Sequence, residues 1–506
     1  MFLIVALILF AIIFIARIAN KWRVPLVIVS LLAGMLFGSD VLKVINFDNY
    51  ELAKEVANYA LVFVLFIGGF GTKKERLKLV FGPAMVLATV GVIMTAAITV
   101  LMLVYVLKFD LQQSILISCI IASTDAAAVF SILRSRSLDP NLSSLVEIES
   151  ATNDPMAIIL TTVAVSLAVA HAAASQLEQP LNLILVILDL LWQTVGGVGI
   201  GLLIGWGMVY ISRFIAELDK GYYYIYIISI IMISYGVADA AKASGILSAF
   251  FAGFILGNSN IPYKSTSSTL LDALSTIGNV VIFVLLGLLV SPSDFNVEVL
   301  KGGVLLFLIL AFVARPVTVA ACTFFAKYSV KENVFISWSG LRGAVPIVLA
   351  TYPAAAGIEG AKYIFNVVFF AVLLSLLIQG GTITKLADKL KLAAKARPKP
   401  RQVMELVNIN TELELVEIEV DADVYEGEAE LSRFRLPAGT TITMVNRDDN
   451  VIAPTGTTVI KPGDVLYVLV NAKEIGKAMN AIFSHFRSDK WPASGQPDWE
   501  DIELWR

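Results

Sequence analysis

The feature that most constrains this chain is the series of apolar runs in its first 386 residues. A helix needs about 20 mainly apolar residues to cross a bilayer. Thirteen runs, separated by charged or turn-rich breaks, approach that length: 2–17, 24–39, 55–71, 82–107, 111–133, 144–170, 182–212, 221–238, 243–257, 269–290, 302–326, 333–353 and 362–384. The pattern predicts an all-α polytopic membrane protein with about thirteen spans, a count good to about one. The long run at 182–212 has room for a bend.

The charge distribution separates this membrane part from a soluble part. Of the 106 residues from Arg401 onward 29 are charged, against 50 of the first 400, and a soluble domain is about one quarter charged. Period-two alternation predicts strands near 413–420, 440–447, 450–455 and 464–470, followed by a helix near 472–484. We therefore predict a membrane domain at 1–386, a basic linker at 387–402, a small α+β domain at 403–485 and an irregular tail at 486–506.

Basic residues in the short loops predict the orientation. Alternate loops, counted from the first, hold fourteen lysines and arginines, and the other loops hold six. Cytoplasmic loops carry the excess of basic residues, so the N-terminus is expected outside and the α+β domain in the cytoplasm, beneath the cell membrane. Met1 is followed at once by apolar residues, without the basic region of a cleavable signal. The first run is therefore predicted to be a retained helix.

Polar and ionisable residues in three of the runs mark a candidate site. A charge in a spanning helix costs about 2.5–3.5 kcal/mol on insertion scales and indicates function by default. Two of the runs also carry helix-breaking signals, as in transporters whose interrupted helices meet near the midplane. The residues are Ser123, Thr124 and Asp125 in the first run, Glu147, Glu149, Ser150, Asn153 and Asp154 in the second, and Gly340, Arg342, Gly343 and Pro346 in the third.

The charges of these runs allow a pairing argument. Arg342 needs a counterion, and either Glu149 or Asp125 is available. A carboxylate left over after this balance is the candidate for transport, which favours Asp154. The alternative is that all these charges form one packing cluster, but a buried ion pair is weak evidence for stability.

Two other features of the membrane part allow more than one interpretation. Arg315 precedes Pro316 within a spanning run, which indicates a kinked helix with a snorkelling or a paired arginine. Gly197, Gly201 and Gly205 follow the GxxxG spacing, which indicates close helix packing or a dimer contact.

The three polar motifs resemble a known family. They read STDAAAV at 123–129, ESATNDP at 149–155 and GLRGAVP at 340–346, and they are similar to the core motifs of the monovalent cation:proton antiporter-1 family, NhaP type. The resemblance covers about residues 1–386. Residues 403–485 resemble the C-terminal regulatory lobe of potassium-conductance regulators (the TrkA-C domain), through LPAG at 436–439, Arg447, Pro454 and KPGD at 461–464.

The resemblance implies exchange of Na⁺ or K⁺ for H⁺ at one shared site, in an inverted-repeat fold with two broken crossing helices. It implies that Asp154 carries the proton or the cation, and that Glu149 and Arg342 form an ion pair. Ser150 and the backbone of Thr124 are implied as ion ligands, with Asp125 beside them and Asn153 bracing the crossing. It also implies electroneutral exchange, and a homodimer is expected.

The bottom-up chemistry agrees with this resemblance. Carboxylate, hydroxyl and freed carbonyl oxygens suit a hard cation, and one carboxylate cannot hold a proton and a cation together. We expect no cofactor. The sequence leaves open whether the α+β domain responds to a nucleotide, to the cation or to protons. No GxGxxG follows a strand, so dinucleotide regulation is in doubt. The appended domain favours K⁺ over Na⁺.

Three other classes compete with this interpretation. An intramembrane protease needs a motif such as HExxH, which the chain lacks. A potassium channel needs a carbonyl-rich filter such as TVGYG, which is also absent. A membrane sensor that transports nothing would tolerate loss of Asp154.

Overall fold

The computed structural model describes residues 10, 26–125, 129, 136–138, 140–177, 183–215, 220–326, 328–395, 400–405, 413–420, 427–447, 450–471 and 474–486. The chain divides into two compact units. One contains Met1–Asn260 and Leu270–Ala394, and the other contains Ile261–Thr269 and Lys395–Arg506.

Helices make up most of the described residues before residue 391. In chain order, the helices up to residue 309 are α1 (Leu26–Phe37), α2 (Tyr50–Gly71), α3 (Lys74–Val86), α4 (Val92–Tyr105), α5 (Leu111–Ile120), α6 (Pro140–Leu177), α7 (Leu183–Ile215), α8 (Lys220–Ala240), α9 (Gly245–Gly257), α10 (Lys264–Leu289) and α11 (Val297–Ile309). The remaining ones are α12 (Arg315–Cys322), α13 (Val330–Trp338), α14 (Ala344–Leu349), α15 (Thr351–Ala355), α16 (Ala361–Leu374) and α17 (Gly380–Leu390). Short strands β1 and β2 lie at Arg136–Leu138 and Ala393–Lys395.

The helices match the predicted apolar runs in place and type. Within the described residues, eight continuous helical stretches are long and apolar enough to cross a membrane, and four apolar helices are shorter. Two of the short ones, Leu111–Ile120 and Ala344–Ala355, belong to the runs predicted to be interrupted. The run at 2–17 lies outside the described residues apart from Phe10, so the count of thirteen stays a prediction. The run at 182–212 is continuous helix as α7.

Within the described residues, three π-helical segments interrupt the helices, at Leu87–Gly91, Leu310–Ala314 and Ser375–Gln379. The second directly precedes Arg315 and Pro316. Proline has no N–H to donate to the carbonyl four residues earlier, and a widened turn accommodates such a defect. Arg315 therefore begins a new helical segment with its side chain buried in the bundle.

Glycines bring α7, α9 and α2 to within backbone contact. A Cβ on Gly201 would lie 2.3 Å from the Ser248 carbonyl oxygen, and one on Gly253 would lie 2.2 Å from that of Phe66. Small residues allow this close approach in membrane bundles. The GxxxG residues of α7 thus pack against α9 of the same chain, the first of the two interpretations given above.

The second unit contains a five-stranded sheet and one helix. Its strands are β3 (Pro400–Glu405), β4 (Leu413–Glu419), β6 (Thr441–Arg447), β7 (Asn450–Ile452) and β9 (Val465–Asn471), in the order β3-β4-β9-β6-β7. The neighbours pair antiparallel. Strands β5 (Ala429–Glu430) and β8 (Val459–Ile460) form a separate pair, and α18 spans Ile475–Phe483. The α+β fold predicted for this part is confirmed.

The core of this unit follows from the alternating pattern. Val416, Ile418, Leu466, Val468 and Ile482 are among its fully buried residues, so alternate positions of β4 and β9 face the apolar side of α18. The bounds differ slightly from the prediction, since α17 continues to Leu390 and β3 begins at Pro400, both within the segment 387–402 predicted as a linker.

An ion pair with a buried carboxylate links the end of β6 to the turn before β9. Arg447 donates two hydrogen bonds to Asp464, at 2.7 and 2.6 Å, and Asp464 also accepts the backbone N–H of Lys461 at 2.8 Å. Asp464 is 1% exposed. The motif residues Arg447 and KPGD therefore have a structural role here, in closing the turn before β9.

Candidate functional site

Two interrupted helices meet inside the membrane unit. Helix α5 ends at Ile120 and is followed by non-helical chain to Asp125; α13 ends at Trp338, and α14 begins at Ala344. The breaks touch, because the Asp125 N–H donates to the Leu341 carbonyl at 2.7 Å. Gly343 packs so closely that a Cβ there would lie 1.7 Å from Asp125 Oδ2.

Arg342 binds the carbonyls at the first break. The Arg342 guanidinium donates to the carbonyl oxygens of Ala122 (2.8 Å) and Ser123. The backbone N–H of Arg342 donates to Ser375 Oγ at 3.1 Å. Carbonyls at the C-terminal end of a helix lack internal partners and carry partial negative charge. A buried arginine satisfies both needs at once, so Arg342 stabilises the end of α5.

Glu149 pairs with Arg315. Arg315 Nη2 donates to Glu149 Oε2 at 2.7 Å, and the two side chains are 4% and 1% exposed. The predicted Glu149–Arg342 ion pair is therefore wrong in this structure. The reason is geometric, since the π segment before Arg315 directs that residue to α6, while Arg342 is occupied by backbone carbonyls. Of the two interpretations of Arg315, the paired one holds.

A hydrogen-bonded triad joins the first break to α6. Asn153 Nδ2 donates to Thr124 Oγ1 at 2.6 Å, and the Thr124 N–H donates to Asn153 Oδ1 at 3.3 Å. The hydroxyls of Thr124 and Ser150 lie 2.8 Å apart. All three residues are buried, so the side-chain amide of Asn153 fixes the position of Thr124 relative to α6.

Asp154 lines a cavity of about 480 Å³. Thr124, Asp125, Glu147 and Ser150 belong to the same lining. Asp154 Oδ1 is buried and has no hydrogen-bond partner among the described residues. A carboxylate oxygen in this setting needs a proton or a cation, because an unpaired buried charge is costly.

A second part of the cavity lining comes from α1, α2 and α10. Its polar residues are Ser30, Thr72, Ser275, Thr276 and Asn279. Sequence reasoning missed this part of the lining. The available signal was the clustering of Ser275, Thr276 and Asn279 over little more than one turn of α10, just before its apolar second half.

The structure thus divides the predicted site residues into two groups. Asp154, Asp125, Ser150 and Thr124 line one cavity. Asn153, Glu149 and Arg342 lie behind it and hold the breaks and α6 together.

Both units of the chain match known protein families. Residues 5–389 match the family model of the sodium/hydrogen exchanger, transmembrane. The chain belongs to this family. Residues 415–482 match the TrkA-C domain, so both predicted resemblances are confirmed. As a sodium/hydrogen exchanger family member, the chain is a multi-span membrane protein that exchanges a cation for protons, and its relatives are transporters.

Curated relatives match most of the chain. A protein named K(+)/H(+) antiporter NhaP2 from Shewanella baltica is 34% identical over 97% of this chain and 84% of its own length. The K(+)/H(+) antiporter NhaP from Alkalimonas amylolytica is 35% identical over 74% of this chain and 64% of its own length. Among solved structures, the sodium proton antiporter MjNhaP1 from Methanocaldococcus jannaschii is similar at 25% identity and a TM-score of 0.64, covering 76% of this chain and 97% of MjNhaP1.

Proposed function

We propose that this exchanger moves K⁺ against H⁺ at one shared carboxylate, that of Asp154. The observation that carries the proposal is the position of Asp154 Oδ1, buried, without a partner in the described chain and beside a cavity. Glu149 Oε1 is also buried without a hydrogen-bond partner among the described residues, but the charge of Glu149 is balanced by Arg315 and its side chain does not line this cavity. Asp154 is therefore the acid with exchange capacity.

Competition for one group couples the two ions. In the protonated state the Asp154 carboxyl is neutral and offers the cation little. In the ionised state it binds a cation together with neighbouring oxygens of Ser150, Thr124 and Asp125, as hard cations prefer. Since the proton and the cation exclude each other, one-for-one exchange is electroneutral. The cation and the proton are the cargo, and no cofactor takes part.

The residues behind the cavity act as positioning residues. Arg342 holds the carbonyls of the first break, and Asn153 holds Thr124 at a fixed distance from α6. In this proposal the Glu149–Arg315 pair anchors α6 to α12 and does not bind the transported ion.

The choice of K⁺ has a specific support. Two curated relatives named for K⁺/H⁺ exchange are 34% and 35% identical, and the match to the first covers 97% of this chain. The second candidate is Na⁺/H⁺ exchange, which is favoured by the likeness to the sodium proton antiporter MjNhaP1. Oxygen ligands alone fit both cations.

We further propose an inward-facing arrangement. The cavity includes Gly71 and Thr72 at the end of α2, and the next residues, Lys73 and Lys74, are basic. By the distribution of basic loops this end is cytoplasmic, with the N-terminus outside and the TrkA-C domain in the cytoplasm, at the cell membrane. Lys73→Cys tests this orientation by thiol labelling from each side of sealed vesicles. The cysteine should be labelled from the cytoplasmic side, and labelling from outside intact cells would contradict the orientation.

We also propose a homodimer. Leu203, Trp206 and Phe214 on α7 are each 72% exposed, and this apolar face is where we place a second copy. Single-cysteine variants at these positions should cross-link in native membranes, with cysteine at exposed Phe81 of α3 as the control. Equal cross-linking at Phe81 contradicts this interface.

Everted vesicles with a pH-sensitive dye test the function. Addition of K⁺ to acid-loaded vesicles should raise the internal pH, with weaker responses to Na⁺ and Li⁺. A permeant anion, which collapses the membrane potential, should not change the initial rate. Cation flux without proton movement would indicate a channel, and no flux at all would indicate a sensor. A stronger response to Na⁺ than to K⁺ would favour the second candidate.

A further inference from the structure

A second large cavity lies away from the ion site, between α12, α13 and α17. We call it the α13 groove. It has a volume of about 730 Å³. Its lining is mainly apolar and consists of Ala311, Phe312, Pro316, Ala320, Val330, Asn333, Val334, Ser337, Trp338, Thr382, Lys385, Leu386 and Lys389. The exposed side chains of Phe312, Val330 and Val334 show that the groove opens to the outside of the bundle.

The direction of the groove follows from the helices. Helix α12 ends at Cys322 and α13 begins at Val330, so Ala320 and Val330 lie at the same end. Lys389 is in the last turn of α17, which places it at this end too. From Ala320 to Phe312 the helical rise gives about 12 Å. The groove therefore runs from one membrane surface towards the middle of a hydrocarbon core of about 30 Å.

The charge at the mouth of the groove is positive. Lys385 and Lys389 are one turn apart on α17 and are the charged members of the lining. The nearby acid of α13, Glu332, is used in a capping box, where it accepts the Ser329 N–H at 2.6 Å. Asp388 lies on the same helix as the lysines, outside the lining.

The inner end of the groove is closed by a hydrogen-bonded chain. Trp338 Nε1 donates to Thr382 Oγ1 at 3.0 Å, and the Trp338 ring meets Phe312 edge to face at 5.8 Å. Gln379 Nε2 donates to the Trp338 carbonyl at 3.3 Å. These contacts fix the groove floor directly before the break at Ser339.

We propose that the α13 groove binds one anionic phospholipid of the surrounding bilayer. An acyl chain lies along the apolar wall from Ala320 to Phe312, and the phosphate is held by Lys385 and Lys389. Charge complementarity selects this occupant, because a neutral lipid would leave two lysines at the mouth without an anion. Basic residues near the membrane surface contribute about 1 kcal/mol each towards anionic lipid.

The test is lipid binding to the delipidated full-length protein in detergent. We would titrate dioleoyl phosphatidylglycerol or dioleoyl phosphatidylcholine, count bound lipid by native mass spectrometry and follow the unfolding temperature. Wild type should bind phosphatidylglycerol at least about tenfold more tightly than phosphatidylcholine. The unfolding temperature should rise with phosphatidylglycerol, since a ligand of the native state stabilises it.

Two variants distinguish the headgroup from the acyl chain. Lys385→Gln with Lys389→Gln should remove the preference, whereas the matched control Lys78→Gln with Lys301→Gln should retain it. Ala320→Trp should fill the groove and weaken binding of both lipids. Because these residues are exposed, the substitutions leave the packed core intact. Three results would each overturn the proposal. They are equal affinity of wild type for the two lipids, an equal preference for phosphatidylglycerol in the Lys385/Lys389 variant and in the Lys78/Lys301 control, and wild-type lipid binding by Ala320→Trp.

Discussion

Arg315 donates to Glu149 at 2.7 Å, and Arg342 binds the carbonyls of Ala122 and Ser123 instead. The two intramembrane arginines thus have separate partners. One joins α12 to α6, and the other closes the end of α5. The carboxylate of Asp154 is used by neither contact, which is why it is available to the transported ion in our proposal.

A double-mutant cycle tests this pairing. Glu149→Gln or Arg315→Gln alone leaves a buried charge without its partner, which should cost about 3–5 kcal/mol in the free energy of unfolding. The double variant should recover much of that loss. Unfolding of purified protein by heat or denaturant measures the coupling.

The same cycle with Arg342 serves as the control. Glu149→Gln and Arg342→Gln should be close to additive. Coupling to Arg342 that exceeds the coupling to Arg315 would restore the pair expected from the sequence resemblance and contradict the structure.

Thr124→Val should weaken cation binding. The change removes the hydroxyl that accepts from Asn153 and contacts Ser150, and an unsatisfied buried amide costs about 1–3 kcal/mol. We expect a KM for the cation raised roughly fivefold or more. Thr161→Val is the matched control, because Thr161 is buried on α6, the helix of Asn153 and Ser150, and its hydroxyl has no partner within the described residues. Equal effects of the two substitutions would count against the bracing role.

Gly343→Ala should abolish transport while leaving the protein inserted. The added Cβ would lie 1.7 Å from Asp125 Oδ2, so the Asp125 carboxylate must leave its place at the cavity. Gly199→Ala on α7 is the control, since no atom lies within 4 Å of that Cβ. Dye measurements in everted vesicles, normalised to protein, would separate the two. Normal exchange in the Gly343 variant would show that the close contact of the breaks is not needed.

Truncation after Arg397 should leave exchange in place. This change removes the whole sheet that begins at Pro400, while Asp154 and both breaks precede residue 345. We expect cation-dependent proton movement with an altered dependence on pH or cation concentration, because a regulatory domain shifts activity through its differential affinity for two states. A truncated protein that inserts normally and transports nothing would place the TrkA-C domain within the core mechanism.

The sequence was informative where the signal is local. Gly340, Gly343 and Pro346 predicted the second break, because glycine and proline act on their own backbone. The spacing of Ser150 and Asp154 placed two site residues one turn apart on one helix. The partner of Glu149 was not predictable in this way, since the choice between two arginines depends on the rotation of α12 after a π segment.

The polar residues of α10 in the cavity lining were not predicted from the sequence, for a related reason. Hydroxyls in a membrane helix satisfy themselves locally, as Thr276 does by donating to the Asp272 carbonyl at 2.9 Å. Ser275, Thr276 and Asn279 therefore resemble ordinary helix residues until the structure places them in the lining of the cavity that also contains Asp154.

The central claim is that Asp154 alone carries the exchanged proton or cation, and Asp154→Asn tests it most directly. Asp189→Asn is the control, because Asp189 is an exposed carboxylate on another membrane helix, α7. In everted vesicles given K⁺, and then Na⁺, the Asp189 variant should retain wild-type dye recovery. The Asp154 variant should show none for either cation, at equal protein and with an unchanged unfolding profile. Exchange above about a tenth of wild type in a folded Asp154→Asn protein would contradict the account.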